Sequence, residues 1–304
     1  GPPSTAPNQP LIRTPLAPRL GRQRGIDMKT LTGSGPRGRI RAVDVPMQAA
    51  ASQAPVSQPA VPRGPQPAPS PEQQAAQASL RKPSATEATI AQRLVAAKQQ
   101  IPHFYLSSEV EVSALLALRA EVNAAQPAVR LTLNDFLLAA VGRALADMPQ
   151  CNRVWTDQGI LNLESTDVGM AVNTDRGLVV AMVRDAGGQP ASAVSRGAKA
   201  LIERARSGRL GAPEMTGGAI TVSNAGMHDV SAMTSIINPG QAMILGVGSV
   251  RELFRPDAGG APSLRRELTL VLSADHRVLD GVSAAQFLKR IREHLSRPLA
   301  LMVA

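Results

Sequence analysis

Aromatic residues are nearly absent from this chain of 304 residues: Phe, Trp and Tyr together make up 2% of it. Proteins that hold single-stranded nucleic acid rely on aromatic platforms for base stacking. The formal net charge of +10 therefore does not by itself point to such a partner. Cysteine is limited to Cys151, and one thiol makes neither an internal disulfide nor a thiolate metal cluster, so the expectation is a soluble intracellular protein with no metal site. No run of eighteen apolar residues occurs, which excludes a membrane-spanning helix. No glycine-rich loop has the Walker spacing, so nucleotide hydrolysis has no support. The first residue is Gly1, with no apolar leader behind it, and the expected chain start follows a portion cut away upstream.

The charge that is present sits mostly at one end. Residues 1–45 hold eight Lys or Arg against Asp27 and Asp44, whereas residues 84–304 are nearly balanced, with 22 basic and 20 acidic groups. Between them, residues 46–83 are dominated by Ala, Pro, Gln and Ser, which lack the apolar side chains that offset chain entropy. This stretch reads as a partly extended linker between two folded units. The expected organisation is a flexible segment over 1–10, a small unit over 11–45, the linker, and a large unit over 84–304.

The small unit is too short for an ordinary core. Thr14 and Pro15 read as a helix start, Gly25 as its stop, and Gly33, Gly35 and Gly38 as a turn-rich loop before Ile40. With Gly25-Ile26-Asp27, the loop from Gly33 to Ile40, and Asp44-Val45, it resembles the peripheral subunit-binding domain of the 2-oxo acid dehydrogenase acyltransferases. That resemblance implies docking of dihydrolipoamide dehydrogenase or the 2-oxo acid decarboxylase through basic side chains. The family usually has an arginine three residues after the proline, where this chain has Pro18. Arg19, Arg22 and Arg39 remain as candidates to pair with a partner's carboxylates; the plainer reading is a set of solvated surface charges.

The large unit alternates helical and strand periods and is expected to be a mixed α/β domain. Helices are predicted over 85–100, over 113–123 with Ser113 as cap, and from a Thr132–Asp135 capping box to Pro149. A further helix is predicted over 190–207, stopped by Gly208. Strands are predicted over 168–172 and 178–183, joined by a turn ending in Gly177, and again over 219–223, 242–246 and 267–273. A last helix is predicted to begin at Ser283, with Gln286 completing a capping box, so that Asp280 is not its cap.

Two segments carry the chemistry: Thr221 to Met227, containing Ser223 and Asn224, and Asp275 to Gly281, containing His276 and Asp280. A bare His-x-x-x-Asp-Gly is weak. Here it lies 53 residues after Ser223 and is joined by Ala91-Gln92-Arg93-Leu94, by Ile101 to Leu106, and by Ile236-Ile237-Asn238-Pro239. Together these resemble the catalytic domain of the dihydrolipoamide acyltransferases, most like the pyruvate dehydrogenase acetyltransferase, which shares the chloramphenicol-acetyltransferase-like fold.

The resemblance implies acyl transfer, acetyl by preference, between dihydrolipoamide and coenzyme A as substrate. His276 would be the general base, Ser223 the oxyanion stabiliser, Asp280 an orienting carboxylate paired with Arg93, and Asn224 a supporting residue. It also implies a homotrimer within a larger core, with histidine and hydroxyl from different chains, and a lipoyl group supplied by a domain absent from this sequence. The compartment would be the bacterial cytoplasm, or the mitochondrial matrix in a eukaryote. Nucleic acid and membrane are not expected partners. Other readings stay open on sequence: Ser223 as nucleophile of a triad with His276 and Asp280, His276 as a structural residue, a catalytically silent docking subunit, or an acyltransferase for a small free acceptor. His103, His228 and His294 read as structural or surface residues. The apolar tail Pro298 to Ala304 is expected to be buried against another subunit.

Overall fold

The computed structural model describes residues 16–23, 25–45, 80–175 and 177–303, and the chain divides between Leu80 and Arg81 into two units. In the first, helix α1 (Ala17–Gln23) ends as the chain reaches Gly25 at φ +63, a left-handed conformation that suits glycine. The helix start at Thr14-Pro15 lies outside the described residues. Three short 3₁₀ turns follow. Asp44 ties the loop together by accepting the backbone N–H groups of Ser34 at 3.1 Å and Arg41 at 2.8 Å. The core is small, with Ala17, Met28, Ile40 and Val45 buried and Leu20, Ile26 and Leu31 packed beside them.

The second unit is built on one mixed sheet. In chain order its elements are α2 (Ala85–Gln100), β1 (His103–Glu111), α3 (Ser113–Ala125), α4 (Leu133–Asp147), β2 (Arg153–Thr156), β3 (Gly159–Asn162), β4 (Val168–Thr174), β5 (Gly177–Val183), α5 (Ala191–Arg206), β6 (Ile220–Asn224), β7 (Met243–Val247), β8 (Arg251–Pro256), β9 (Pro262–Asp275) and α6 (Gly281–Ser296). The main sheet runs β1-β9-β7-β6-β4-β5, with β8 added along the first half of β9, and β2 with β3 forms a separate hairpin. Strands β4, β6 and β7 are parallel and the other pairings antiparallel.

Local chemistry sets the helix starts. Thr132 and Asp135 form the expected capping box on α4, and Ser84 with Glu87 forms another on α2. Ten residues of α4 are buried, because it packs against both α5 and α6. Two predicted starts differ. Helix α3 does begin at Ser113, but its cap position is Val112, and the Ser113 hydroxyl instead accepts the Arg266 N–H of β9 at 2.9 Å. Helix α6 begins at Gly281, capped by Asp280, whose carboxylate accepts the Ser283 N–H at 2.7 Å. A capping carboxylate needs only a donor two or three residues ahead, and Asp280 meets that condition before Ser283 can.

The parallel pair β6 and β7 is joined without an α-helix, with only one 3₁₀ turn at Gly226–His228 on the way. Residues 225–242 return across the sheet, laying Ser235 on the Ser273 hydroxyl and Ile237 on the His103 ring. Beneath it Gly246 is required: a Cβ there would collide with the Met233 carbonyl. Ile237, Ile244, Ala97 and Ile101 form a small second core at this place. In the tail, burial within its own chain is partial. Pro298 and Leu301 are buried within their own chain, and Arg143 donates to the Val303 carbonyl at 2.6 Å, leaving Leu299 and Val303 exposed.

Candidate functional site

His276 directly follows the last residue of β9 and is exposed. Its backbone N–H donates to the Pro102 carbonyl at 3.0 Å, and its ring lies 4.6 Å from that of Phe104 on β1. The residues on either side hold the turn. Asp275 has no exposed surface, and it accepts the Arg277 backbone N–H at 3.0 Å, Nε at 3.0 Å and Nη2 at 2.7 Å. This bidentate pair holds the guanidinium proton more firmly than usual. The other side of Arg277 rests 5.0 Å from the centre of the Trp155 ring on β2.

Asp280 ends the turn. Its carboxyl is held below the usual carboxylate range, chiefly by the backbone N–H of Ser283, with Arg153 as a lesser influence. Pairing with Arg93 is therefore not what occupies it. Arg93 lies on the exposed side of α2 and lines a cavity of about 500 Å³ with Asn238, Pro239, Gly217 and Gln241. Behind that cavity Gln241 and Asn238 are bonded to the buried Thr221 hydroxyl.

Ser223 is half-buried near the end of β6, opposite Gly246 of β7. Asn224 ends the strand, its side-chain oxygen accepting the Gly226 N–H at 2.8 Å. This is a supporting role made of local structure. The chain then opens outward, and Met227 is 85% exposed.

The register of the sheet separates the two segments. Ser223 lies in the row Gly246 and Val271, while His276 is five residues further along the chain, just past the end of β9. At the usual rise per residue that is about 17 Å along the strands, with two strand spacings of about 5 Å across them. Within one chain the hydroxyl and the imidazole cannot act on the same atom.

The remaining candidates are structural. His103 receives the Ile237 N–H on Nε2 at 3.0 Å and holds the Ile101 carbonyl with Nδ1 at 2.8 Å. Both its nitrogens are used. His294, which has no evident partner in the sequence, lies 2.8 Å from Asp147. Burial pushes the Cys151 thiol up to about 11, so it is a packed group and not a ready nucleophile. Asp275 and Arg277 fall within the segment Asp275 to Gly281 but had no expected task, and Trp155 was not expected at the site. A charged pair flanking the histidine was the available signal.

Residues 77–303 match the family model for the 2-oxoacid dehydrogenases acyltransferase catalytic domain, and residues 12–45 match that of the e3 binding domain. The chain is 35% identical to the dihydrolipoyllysine-residue acetyltransferase component of the pyruvate dehydrogenase complex of Rhizobium meliloti, over 96% of this chain and 69% of that one. Among solved structures, it is similar to the cubic core of the pyruvate dehydrogenase multienzyme complex, with TM-score 0.70 and 28% identity over 81% of this chain and all of that one. The dihydrolipoamide acetyltransferase of Azotobacter vinelandii gives the same TM-score, identity and coverage. That enzyme was investigated for the role of a serine, a histidine and an asparagine in its catalytic mechanism, the serine 52 positions before the histidine and the asparagine four after it.

Proposed function

This chain belongs to the 2-oxoacid dehydrogenase acyltransferase family, and from that premise we propose that it moves an acetyl group between dihydrolipoamide and coenzyme A at a site shared by two copies. The observation that carries the reading is the placement of Ser223 and His276 at opposite ends of one sheet. Their spacing of 53 residues and the acidic residue four after the histidine parallel the serine, histidine and asparagine of the Azotobacter enzyme.

The coenzyme A thiol gives its proton to the His276 imidazole as its sulfur attacks the thioester carbonyl. A C–S bond forms and the carbonyl oxygen becomes an oxyanion, to which the Ser223 hydroxyl of a neighbouring copy donates a hydrogen bond. Collapse breaks the bond to dihydrolipoamide, and His276 returns the proton to the leaving thiolate. Asp280 acts through the fold: capping α6 sets where the turn holding His276 ends. Aspartate and asparagine cap helices about equally well, so this position can carry either.

A triad with Ser223 as nucleophile is less favoured, because Asp280 is already bonded to the start of α6. The lipoyl group arrives on a domain outside these 304 residues, in keeping with a chain that spans 69% of its Rhizobium relative. The assembly is a homotrimer within a larger core. Dihydrolipoamide dehydrogenase docks on residues 11–45 through the exposed Arg19, Arg22 and Arg39, and the protein works in the cytoplasm or mitochondrial matrix.

The test is transfer of acetyl, succinyl and isobutyryl groups between coenzyme A and free dihydrolipoamide, in wild type and His276→Ala. Acetyl preference that vanishes with the histidine is expected. No transfer of any of the three by the wild type would overturn the reading in favour of a silent docking subunit.

A further inference from the structure

We propose that Asp275, Arg277 and Trp155 form a clamp that positions His276. This deepens the reading of His276 as the proton acceptor and rests on it. The histidine sits between the two members of an ion pair. Its neighbours on either side are joined by three N–H donors from Arg277 to one carboxylate, so the backbone of His276 is enclosed in a closed ring of bonds. The turn cannot rotate without breaking that ring. Opening it leaves the Asp275 charge buried with no partner, which is strongly unfavourable.

The ring is also braced from outside. Trp155 lies over the guanidinium, an arrangement in which the flat cation is attracted to the aromatic face. Trp155 stands opposite Ile160 in the β2–β3 hairpin, and Trp155, Ile160 and Leu161 are all among its exposed apolar residues. Whatever moves this hairpin pulls on Arg277 and through it on the turn. On the opposite side the Pro102 carbonyl and the Phe104 ring limit where the imidazole can go. Lysine cannot reproduce the clamp, since it lacks the planar fork that satisfies both carboxylate oxygens. The pairing has a second effect. With Asp275 holding it, the guanidinium is not free to bind the imidazole's partners or a passing thiolate.

Trp155 is the sole tryptophan in the chain, so its emission reports the clamp directly. The experiment compares Arg277→Lys, Asp275→Asn and Trp155→Phe in the assembled protein, using acetyl transfer from coenzyme A to free dihydrolipoamide. Arg277→Lys is expected to lower kcat by roughly 10- to 100-fold, the scale of a displacement of about 1 Å in a reacting group. KM for the coenzyme is expected to change little, and the Trp155 emission to shift. Added guanidinium is expected to restore part of the kcat of Arg277→Ala. Should Asp275→Asn block folding, the two arginine variants carry the test. A wild-type kcat in Arg277→Lys with shifted emission, or KM rising in step with the fall in kcat and no rescue, overturns the clamp. A fully active His276→Ala enzyme would instead overturn the base assignment, which is a separate result.

Discussion

The two ends of the sheet are built in opposite ways. At the end of β9, His276 is fixed by a backbone bond to Pro102, by a ring against Phe104, by a buried ion pair around it and by a capped helix just after it. At the end of β6, Ser223 stands half-buried opposite Gly246, over which the Met233 carbonyl of the return segment passes, and the chain then opens to solvent at Met227. A base whose direction matters is over-determined by its own subunit. A hydroxyl that only donates to an oxygen can be presented at an open edge, with the opposite wall supplied by another copy.

The contrast can be broken from either side. Removing the base in His276→Ala should cost the most, about 10²- to 10⁴-fold in kcat, because proton transfer is lost entirely. Ser223→Ala should cost roughly 10²- to 10³-fold, the usual effect of losing one oxyanion donor, with the assembly unchanged in size by sedimentation. Gly246→Ala should lower stability by about 1–3 kcal/mol through overpacking against Met233, read in a thermal melt together with lost activity as the return segment shifts. Asp280→Asn should leave most activity, since the cap survives, whereas Asp280→Ala should lower kcat and fray the start of α6. Equal loss in both variants would restore a charge-dependent role for Asp280.

The smallest effects lie in surface charge. Glu87 is held at about 2 by the Arg81 guanidinium and the Ser84 N–H. A depressed carboxyl stabilises the fold above its ordinary value of 4.5, and that contribution is lost as pH falls towards 2. Acid should therefore fray α2 before the sheet opens, measurable by amide exchange at pH 4 against pH 3. In the small unit, raised salt should release dihydrolipoamide dehydrogenase while the apolar core stays assembled.

Much of this was legible from local pattern. The Thr132–Asp135 box, the stops at Gly25 and Gly208 and the Gly177 turn depend on residues a few positions apart, and they stand where expected. Strand β9 did not show its length: its first half, Pro262 to Glu267, carries the charged run Arg265, Arg266 and Glu267 against β8, with Arg255 bonded to Glu267 and Arg266 to Glu252, and only the apolar second half reads as a strand. The start of α6 was misplaced because Ser283 and Asp280 both satisfy capping rules, and the choice depends on where β9 lets go. The clamp was hidden for another reason: Trp155 is more than 120 positions from Arg277 by its number, and only the fold brings them together. The separation of Ser223 from His276 likewise follows from register, which no local pattern encodes.

The central claim is that one site needs two copies, and subunit mixing tests it. Inactive Ser223→Ala and inactive His276→Ala chains are coexpressed and assembled together. A shared site predicts recovered acetyl transfer approaching about a quarter of wild type, as expected for random mixing within a closed ring. Mixed assemblies of native size that stay as inactive as either parent would contradict it, and would place hydroxyl and imidazole in the same subunit.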